Sequence, residues 1–187
     1  MTVAGLLLAH GAGGDRDHRL FLAMEAELDL PVRRMNFPYR AEGRRGPPDR
    51  GPKLIQAVLH EVQQFTAELD VPAERLVLGG RSMGGRICSM AVAEGLGAAG
   101  LVLLSYPLHP VGKPERLRVD HFADLAAPTL FINGDRDPFG TPEEVDREIP
   151  SIPGPVDLHW LVGQRHDPKA EFDKEIIEVV GRFIHGL

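Results

Sequence analysis

The stretch Leu76–Cys88 reads LVLGGRSMGGRIC and joins an apolar run to a helical pattern through a turn rich in glycine. The apolar residues Leu76–Gly79 predict a buried strand, and Met83–Glu94 has the spacing of a helix. Between them, residues 80–84 (GRSMG) match G-x-S-x-G, in which a sharp strand-to-helix turn presents a serine. Glycines allow strand and helix to approach closely there. The stretch predicts an α/β fold with Ser82 as candidate nucleophile.

The alternation of short apolar runs with longer helical patterns continues along the whole chain. Further strands are predicted at Val3–Ala9, Val32–Phe37, Leu101–Leu104, Thr129–Ile132 and Val156–Leu161, and further helices at Leu20–Leu28, Lys53–Leu69, Pro142–Arg147 and Ala170–Ile184. Continuous apolar strands separated by helices indicate a parallel sheet covered on both faces. We expect a single domain over residues 1–187, a three-layer α/β/α sandwich with a mostly parallel sheet of about six strands.

Composition excludes several classes of protein. The net charge of −6 gives no basic excess for nucleic acid, and one cysteine, Cys88, permits neither an intrachain disulfide nor a zinc ribbon. No apolar run approaches the roughly 20 residues of a membrane helix. Thr2–Ala9 is apolar but short, with no basic residue before it, so we interpret it as a strand and expect a cytoplasmic protein. No metal-ligand spacing is present, and we expect no metal, cofactor, nucleic-acid or membrane partner.

Most of the unusual polar residues follow the predicted strands. They lie in residues 10–17, 39–50, 81–82, 105–109, 133–137 and 163–166. Ligands of open parallel sheets bind outside the carboxyl ends of the strands. The topology therefore gathers these loops at one edge of the sheet.

A serine nucleophile needs a general base and a group that orients the base. His166 is the one histidine of the chain in a loop after the last predicted strand, and we interpret it as the base. Two aspartates, Asp135 and Asp137, follow the fifth strand and compete for the role of orienting acid. Both precede His166, in the order Ser, acid, His.

Backbone N–H groups are expected to stabilise the oxyanion of a tetrahedral intermediate. One donor is the N–H of Met83, the residue after the candidate nucleophile. The second is expected from the loop His10–Gly14 after the first strand, through the N–H of Ala12, with Gly13 next. A phosphate loop is the rival interpretation, but the loop lacks G-K-[ST] and does not match G-x-G-x-x-G.

Five residues are candidates for contact with a substrate: His10, Gly11, Arg81, Tyr106 and His109. Two of them have competing structural interpretations, since His10 could brace its loop and Arg81 could pair with a carboxylate such as Asp135. Six arginines lie between Arg33 and Arg50 and could hold an anionic group of a substrate. A solvated surface is the alternative that we favour for this stretch.

Taken together, these motifs resemble the α/β-hydrolase superfamily over nearly the whole chain. The resemblance rests on His10-Gly11, on GRSMGG at residues 80–85, on Gly134-x-x-Asp137 and on His166. The Gly-x-x-Asp pattern of the family favours Asp137 as the acid and leaves Asp135 to cap a turn or to pair with Arg136. In detail, HGAGG at residues 10–14 resembles the small dienelactone-hydrolase-like branch. Dienelactone hydrolases use a cysteine nucleophile, so their substrate is not carried over to a chain with Ser82.

The resemblance also implies a minimal form of the fold. The chain begins at what would be the third strand of larger members, and residues 105–126 are too few for a large lid. We therefore expect a serine hydrolase with an open site, a carboxylesterase that cleaves short acyl esters through an acyl-serine intermediate. Alternatives are a thioesterase, a small peptidase, or a non-catalytic binding or scaffold protein on a hydrolase fold. The expected partner is a small acyl substrate, and the oligomeric state stays open.

Overall fold

Six strands form one parallel sheet in a computed structural model that describes residues 2–43 and 46–187. The strands are β1 (Gly5–Ala9), β2 (Val32–Met35), β3 (Leu76–Arg81), β4 (Gly100–Leu104), β5 (Thr129–Gly134) and β6 (Val156–Leu161), in the order β2-β1-β3-β4-β5-β6. The α-helices are α1 (Arg19–Glu27), α2 (Pro38–Ala41), α3 (Gly51–Leu69), α4 (Met83–Ala93), α5 (Pro142–Glu148) and α6 (Asp173–Gly186). None of the helices described combines the length and apolar character needed to cross a bilayer.

Alternating side chains of the strands build a core on each face of the sheet. Leu7 and Ala9 of β1 pack with buried residues of α3 and α4, whereas Leu6 and Leu8 pack with those of α1 and α6. All five residues of β1 are buried, as expected for a strand covered on both sides. The protein is therefore an α/β/α sandwich with a six-stranded parallel sheet, as the sequence predicts.

Differences from the predicted elements lie mainly at their ends. β3 and β5 each run two residues further, to Arg81 and Gly134, because their ladders with neighbouring strands continue to those residues. The short helix α2 was not predicted; Pro38 occupies its first position, where a missing N–H costs nothing. The longer strands carry the chain directly to the loops at the carboxyl edge of the sheet.

Candidate active site

Ser82 lies at the turn between β3 and α4 with φ 52° and ψ −119°. A positive φ is strained for a residue with a side chain. Flanking glycines make this turn sterically possible: a Cβ on Gly80 or Gly84 would overlap the carbonyl oxygen of Ala9 in β1, and one on Gly85 would lie 2.6 Å from the Gly80 carbonyl oxygen. The glycines therefore let the backbone of α4 contact the backbone of the strands directly. This contact holds Ser82 in its strained conformation.

His166 joins Ser82 to Asp137 through two short hydrogen bonds. Its Nε2 lies 2.8 Å from Ser82 Oγ, and its Nδ1 lies 2.7 Å from Asp137 Oδ2. A carboxylate only accepts, so Nδ1–H donates to Asp137, and the Nε2 lone pair accepts from the Ser82 hydroxyl. The Asp137 side chain is 1% exposed and that of His166 19%. The arrangement can remove the Ser82 proton and stabilise the resulting imidazolium.

The two aspartates after β5 have separate partners. Besides His166, Asp137 accepts a hydrogen bond from the Phe139 N–H at 2.9 Å. Asp135 accepts from the Gly163 N–H at 2.7 Å and so caps the turn after β6. The structure thus brings Asp137 to His166 and gives Asp135 the turn-capping role that the sequence allowed for it.

Arg81 connects the nucleophile turn to the loop that carries His166. Its Nη2 donates to the His166 carbonyl oxygen at 3.1 Å and lies 2.9 Å from Asp167 Oδ1. Arg81 thus pairs with a carboxylate, as expected, but the partner is Asp167 and not Asp135, whose carboxylate accepts a backbone N–H. Arg81 therefore holds the backbone of the histidine itself.

Two further residues position the His166 loop and were not found from the sequence. The Phe139 ring packs over the His166 ring, with centroids 4.1 Å apart and planes inclined by 33°. Arg19 donates to the Pro168 carbonyl oxygen and pairs with Asp173 at 3.3 Å. No local signal could reveal these contacts, because each joins segments far apart in the chain.

The loop after β1 lies against the nucleophile. A Cβ on Gly11 would be 3.5 Å from Ser82 Cβ. The Gly14 N–H donates to the Gly11 carbonyl at 3.1 Å, and the Tyr39 hydroxyl donates to the Ala12 carbonyl at 2.9 Å. These bonds fix the orientation of successive peptide groups beside Ser82.

Three backbone N–H groups are relevant to charge stabilisation at this edge of the sheet. The N–H of a trans peptide points opposite its C=O, so anchoring the Gly11 and Ala12 carbonyls turns the N–H groups of Ala12 and Gly13 the other way. The N–H of Met83, the first residue of α4, has no acceptor within the helix. The positive end of the α4 dipole lies at the same place.

His10 braces this loop from the protein interior. Its Nδ1–H donates to the Gly11 carbonyl at 2.7 Å, and its Nε2 accepts from the Phe37 N–H at 3.2 Å. Burial lowers the pKa of His10, and the Arg40 charge lowers it further against the opposing hydrogen bond to Gly11. The neutral imidazole fits both bonds. At 1% exposure, His10 is not open to a substrate, so a bracing role replaces the expected contact.

Tyr106 and His109, two candidate substrate contacts, are also buried. The Tyr106 ring packs against Phe122 and Phe131, and its hydroxyl donates to the Arg118 carbonyl at 2.7 Å. The expectation that Tyr106 contacts a substrate is therefore not supported.

His109 ties the loop after β4 to α5. Its Nδ1 lies 2.9 Å from the Pro110 carbonyl oxygen and its Nε2 lies 3.1 Å from Glu144 Oε2. Burial lowers the pKa of His109, but these two acceptors outweigh burial and raise it overall. His109 therefore connects the loop to α5 inside the fold and is not an exposed contact.

The arginine-rich stretch begins with residues held in surface ion pairs. The pairs join Arg33 to Glu61 and Glu68, and Arg34 to Asp17 and Glu25. These contacts support the solvated-surface interpretation for this part of the stretch. Arg44 and Arg45 lie outside the described residues.

Other candidate features lie away from the triad or are not seen. A groove of about 520 Å³ runs along β6 and α6, near the amino ends of β5 and β6, and shares no lining residue with Ser82, Asp137 or His166. In residues 2–43 and 46–187, no three His, Cys, Asp or Glu side chains cluster as metal ligands do. The chemistry of the described residues therefore centres on the carboxyl edge of the sheet.

Similar folds occur in several solved hydrolase structures. An alpha-beta serine hydrolase homologue from Coxiella burnetii has a TM-score of 0.75 at 20% identity, covering 100% of this chain and 86% of that one. Est1E from Butyrivibrio proteoclasticus, solved with ferulic acid, has a TM-score of 0.76 at 17% identity, covering 99% and 89%. Dienelactone hydrolase from Anabaena variabilis has a TM-score of 0.77 at 16% identity, covering 99% and 87%. At these identities the likeness concerns the fold.

Family membership follows from the sequence as a whole. A family model described as an alpha/beta hydrolase domain matches residues 2–176, which is most of the chain. The match includes β1 with its glycine loop, the turn at Ser82, and both loops that supply Asp137 and His166. The protein belongs to the α/β-hydrolase family.

Proposed function

We propose that this hydrolase is a serine carboxylesterase that cleaves short acyl esters through an acyl-serine intermediate. The observation that carries the proposal is the continuous hydrogen-bonded chain from Asp137 through His166 to Ser82, with distances of 2.7 and 2.8 Å. Such a chain activates a hydroxyl that is otherwise a weak nucleophile.

Each residue of the site has a defined role in the proposed reaction. Ser82 Oγ attacks the ester carbonyl while His166 Nε2 takes its proton, and Asp137 stabilises the imidazolium. The N–H groups of Met83 and Ala12, with Gly13 next, bind the oxyanion. The intermediate collapses when His166 returns the proton to the leaving alcohol. Water then attacks the acyl-serine by the same route and releases the acid.

Preference for short acyl groups follows from the small amount of chain around the site. Only residues 105–128 separate β4 from β5, and Tyr106, Leu108 and His109 of this segment are buried in the fold. The more exposed remainder, residues 110–121, is too short to enclose a long hydrocarbon chain, whose burial would supply most of the affinity for a lipid.

Labelling with a fluorophosphonate tests the proposal directly. Intact mass is expected to show one adduct per chain, and peptide mapping is expected to place it on Ser82. The Ser82→Ala variant should remain folded and unlabelled, and it should not hydrolyse 4-nitrophenyl acetate above background. Matched ester, thioester and amide substrates then distinguish an esterase from a thioesterase or peptidase. A folded protein that is not labelled would replace the proposal with a non-catalytic binding role.

A further inference from the structure

A pair of arginines, Arg86 and Arg118, lies beside the nucleophile turn and has no part in the proposed reaction. Arg86 belongs to the first turn of α4, where its N–H donates to the Ser82 carbonyl at 3.1 Å. One helical turn, a rise of about 5.4 Å, separates it from Ser82. Arg118 comes from the segment after β4, a strand whose Leu104 carbonyl accepts the Ser82 N–H at 2.8 Å. The arginine pair is thus supplied by the two elements that flank the nucleophile.

Neither guanidinium of the arginine pair is neutralised within the described part of the chain. Arg86 Nε is buried and has no hydrogen-bond partner. Arg118 Nη1 makes only a long bond of 3.4 Å to the Pro107 carbonyl oxygen. No ion pair forms between either residue and a carboxylate of the described residues, whereas Arg81 binds Asp167.

The neighbours of the arginine pair include a tyrosine hydroxyl and a histidine, and no carboxylate of the described residues pairs with either guanidinium. The Tyr106 hydroxyl lies close to both arginines and donates its hydrogen bond to the Arg118 carbonyl. Burial lowers the pKa of Arg118, and the nearby Arg86 charge lowers it further. Two half-buried like charges without a counter-charge destabilise a fold. An oxyanion placed between them would remove this penalty and satisfy the free donors.

We propose that the arginine pair binds a carboxylate of the substrate, so that the preferred substrates are half-esters of short dicarboxylic acids. The proposal rests on the proposed esterase function and adds a substrate class to it. A guanidinium offers a planar fork of donors that matches the two oxygens of a carboxylate. Because Arg86 lies one helical turn from Ser82, a substrate that reaches both is expected to have only a few carbons between its ester and its carboxylate.

Paired substrates measure the contribution of the arginine pair to catalysis. Monomethyl glutarate and methyl valerate differ in that a carboxylate replaces a methyl group, and a pH-stat follows the hydrolysis of both. In the wild-type protein, kcat/KM is expected to be at least about 10-fold higher for monomethyl glutarate. In Arg86→Met and Arg118→Met the ratio should fall toward one. Arg182→Met, which removes an exposed arginine of α6, should keep the wild-type ratio.

A binding measurement separates this proposal from the proposed esterase function. Glutarate is titrated into Ser82→Ala, which cannot turn over, and calorimetry is expected to detect binding that Arg86→Met removes and Arg86→Lys retains in part. Circular dichroism checks that each variant is folded. Equal rates on the two methyl esters with no glutarate binding would overturn the carboxylate site and leave the esterase intact. Glutarate binding to a protein that no fluorophosphonate labels would support the site and overturn the esterase.

Discussion

The nucleophile turn, residues 80–84, and the loop that carries His166 are joined by the hydrogen bond between Ser82 and His166 but are held in place by different means. Around Ser82, backbone packs on backbone, since Gly80 and Gly84 leave no room for a Cβ against Ala9. The start of the His166 loop is also packed by backbone, since Gly134 leaves no room for a Cβ against the Gln164 carbonyl oxygen. His166 itself is held by side chains, chiefly through Arg81 and the Phe139 ring. Ser82 is therefore fixed by backbone packing alone, whereas His166 also depends on side-chain contacts.

This difference predicts two kinds of failure. A change in the nucleophile turn moves β1, β3 and α4 together and should be measured as lost stability. A change to the side chains that hold His166 removes a contact that the folded sheet does not need and should be measured as lost rate. Four substitutions test this separation, from the largest expected effect to the smallest.

The Gly84→Ala variant should be strongly destabilised. Its methyl group would overlap the Ala9 carbonyl oxygen, with the His10 carbonyl oxygen also at 2.6 Å, so backbone must move. We expect a loss of more than about 4 kcal/mol in the free energy of unfolding, measured by urea denaturation. Gly181→Ala is the matched control, because its nearest contact would be an ordinary 3.7 Å to Leu28. A Gly84→Ala protein as stable as this control would show that the turn is not held by backbone packing.

The Asp137→Asn variant should lose activity while keeping its fold. An amide at this position favours the wrong tautomer of His166, and the expected fall in kcat is about 10⁴-fold. Asp135→Asn is the control, since its amide oxygen can still accept the Gly163 N–H. Kinetics on one ester and a thermal melt of each variant check both expectations. The reverse pattern would assign the acid role to Asp135.

The Arg81→Met variant should lower kcat with little effect on KM. Without the hydrogen bond to the His166 carbonyl, the imidazole shifts relative to Ser82, and a displacement of about 1 Å can cost up to about 10²-fold. Asp167→Asn should change the rate little, because its carboxylate is 72% exposed and the bond from Arg81 to the carbonyl remains. A rise in KM alone would instead make Arg81 a substrate contact.

Lowering the pH should destabilise the protein through His121, which contacts α4, the helix that follows Ser82. Burial, followed by the Arg86 charge, lowers the pKa of His121 from 6.5 to about 4, and its Nε2 lies 2.8 Å from Ser89 Oγ on α4. The unfolded chain therefore binds a proton first as the pH falls. The contribution of His121 to stability is complete above pH 6.5 and is lost as the pH falls from 6.5 to about 4.

Urea midpoints between about pH 7.5 and pH 4.5 measure this effect. His121→Asn should lose less stability over the range than the wild type, whereas His60→Asn, at an exposed position of α3, should follow the wild type. Equal losses of stability in all three proteins would show that His121 does not cause the pH dependence.

Local patterns sufficed for the strands, the order of the layers and two members of the candidate triad. Ser82 was identified from G-x-S-x-G between a strand and a helix, and His166 from its place after the last strand. The choice of Asp137 over Asp135 needed the family pattern, because both residues follow the same strand. Tyr106 and His109 were misplaced for a different reason: position after a strand predicts an edge of the sheet but says nothing about which way a side chain turns.

Periodicity and turn chemistry thus determined the fold and the candidate nucleophile, because both act between neighbours in the chain. Contacts across the fold decided the rest: which carboxylate meets His166, that Arg81 binds Asp167 and not Asp135, and that Phe139 covers the imidazole. The arginine pair, which no carboxylate of residues 2–43 and 46–187 neutralises, belongs to the same class. It arises where α4 meets the segment after β4, and no local pattern predicts which charges of two distant segments come together.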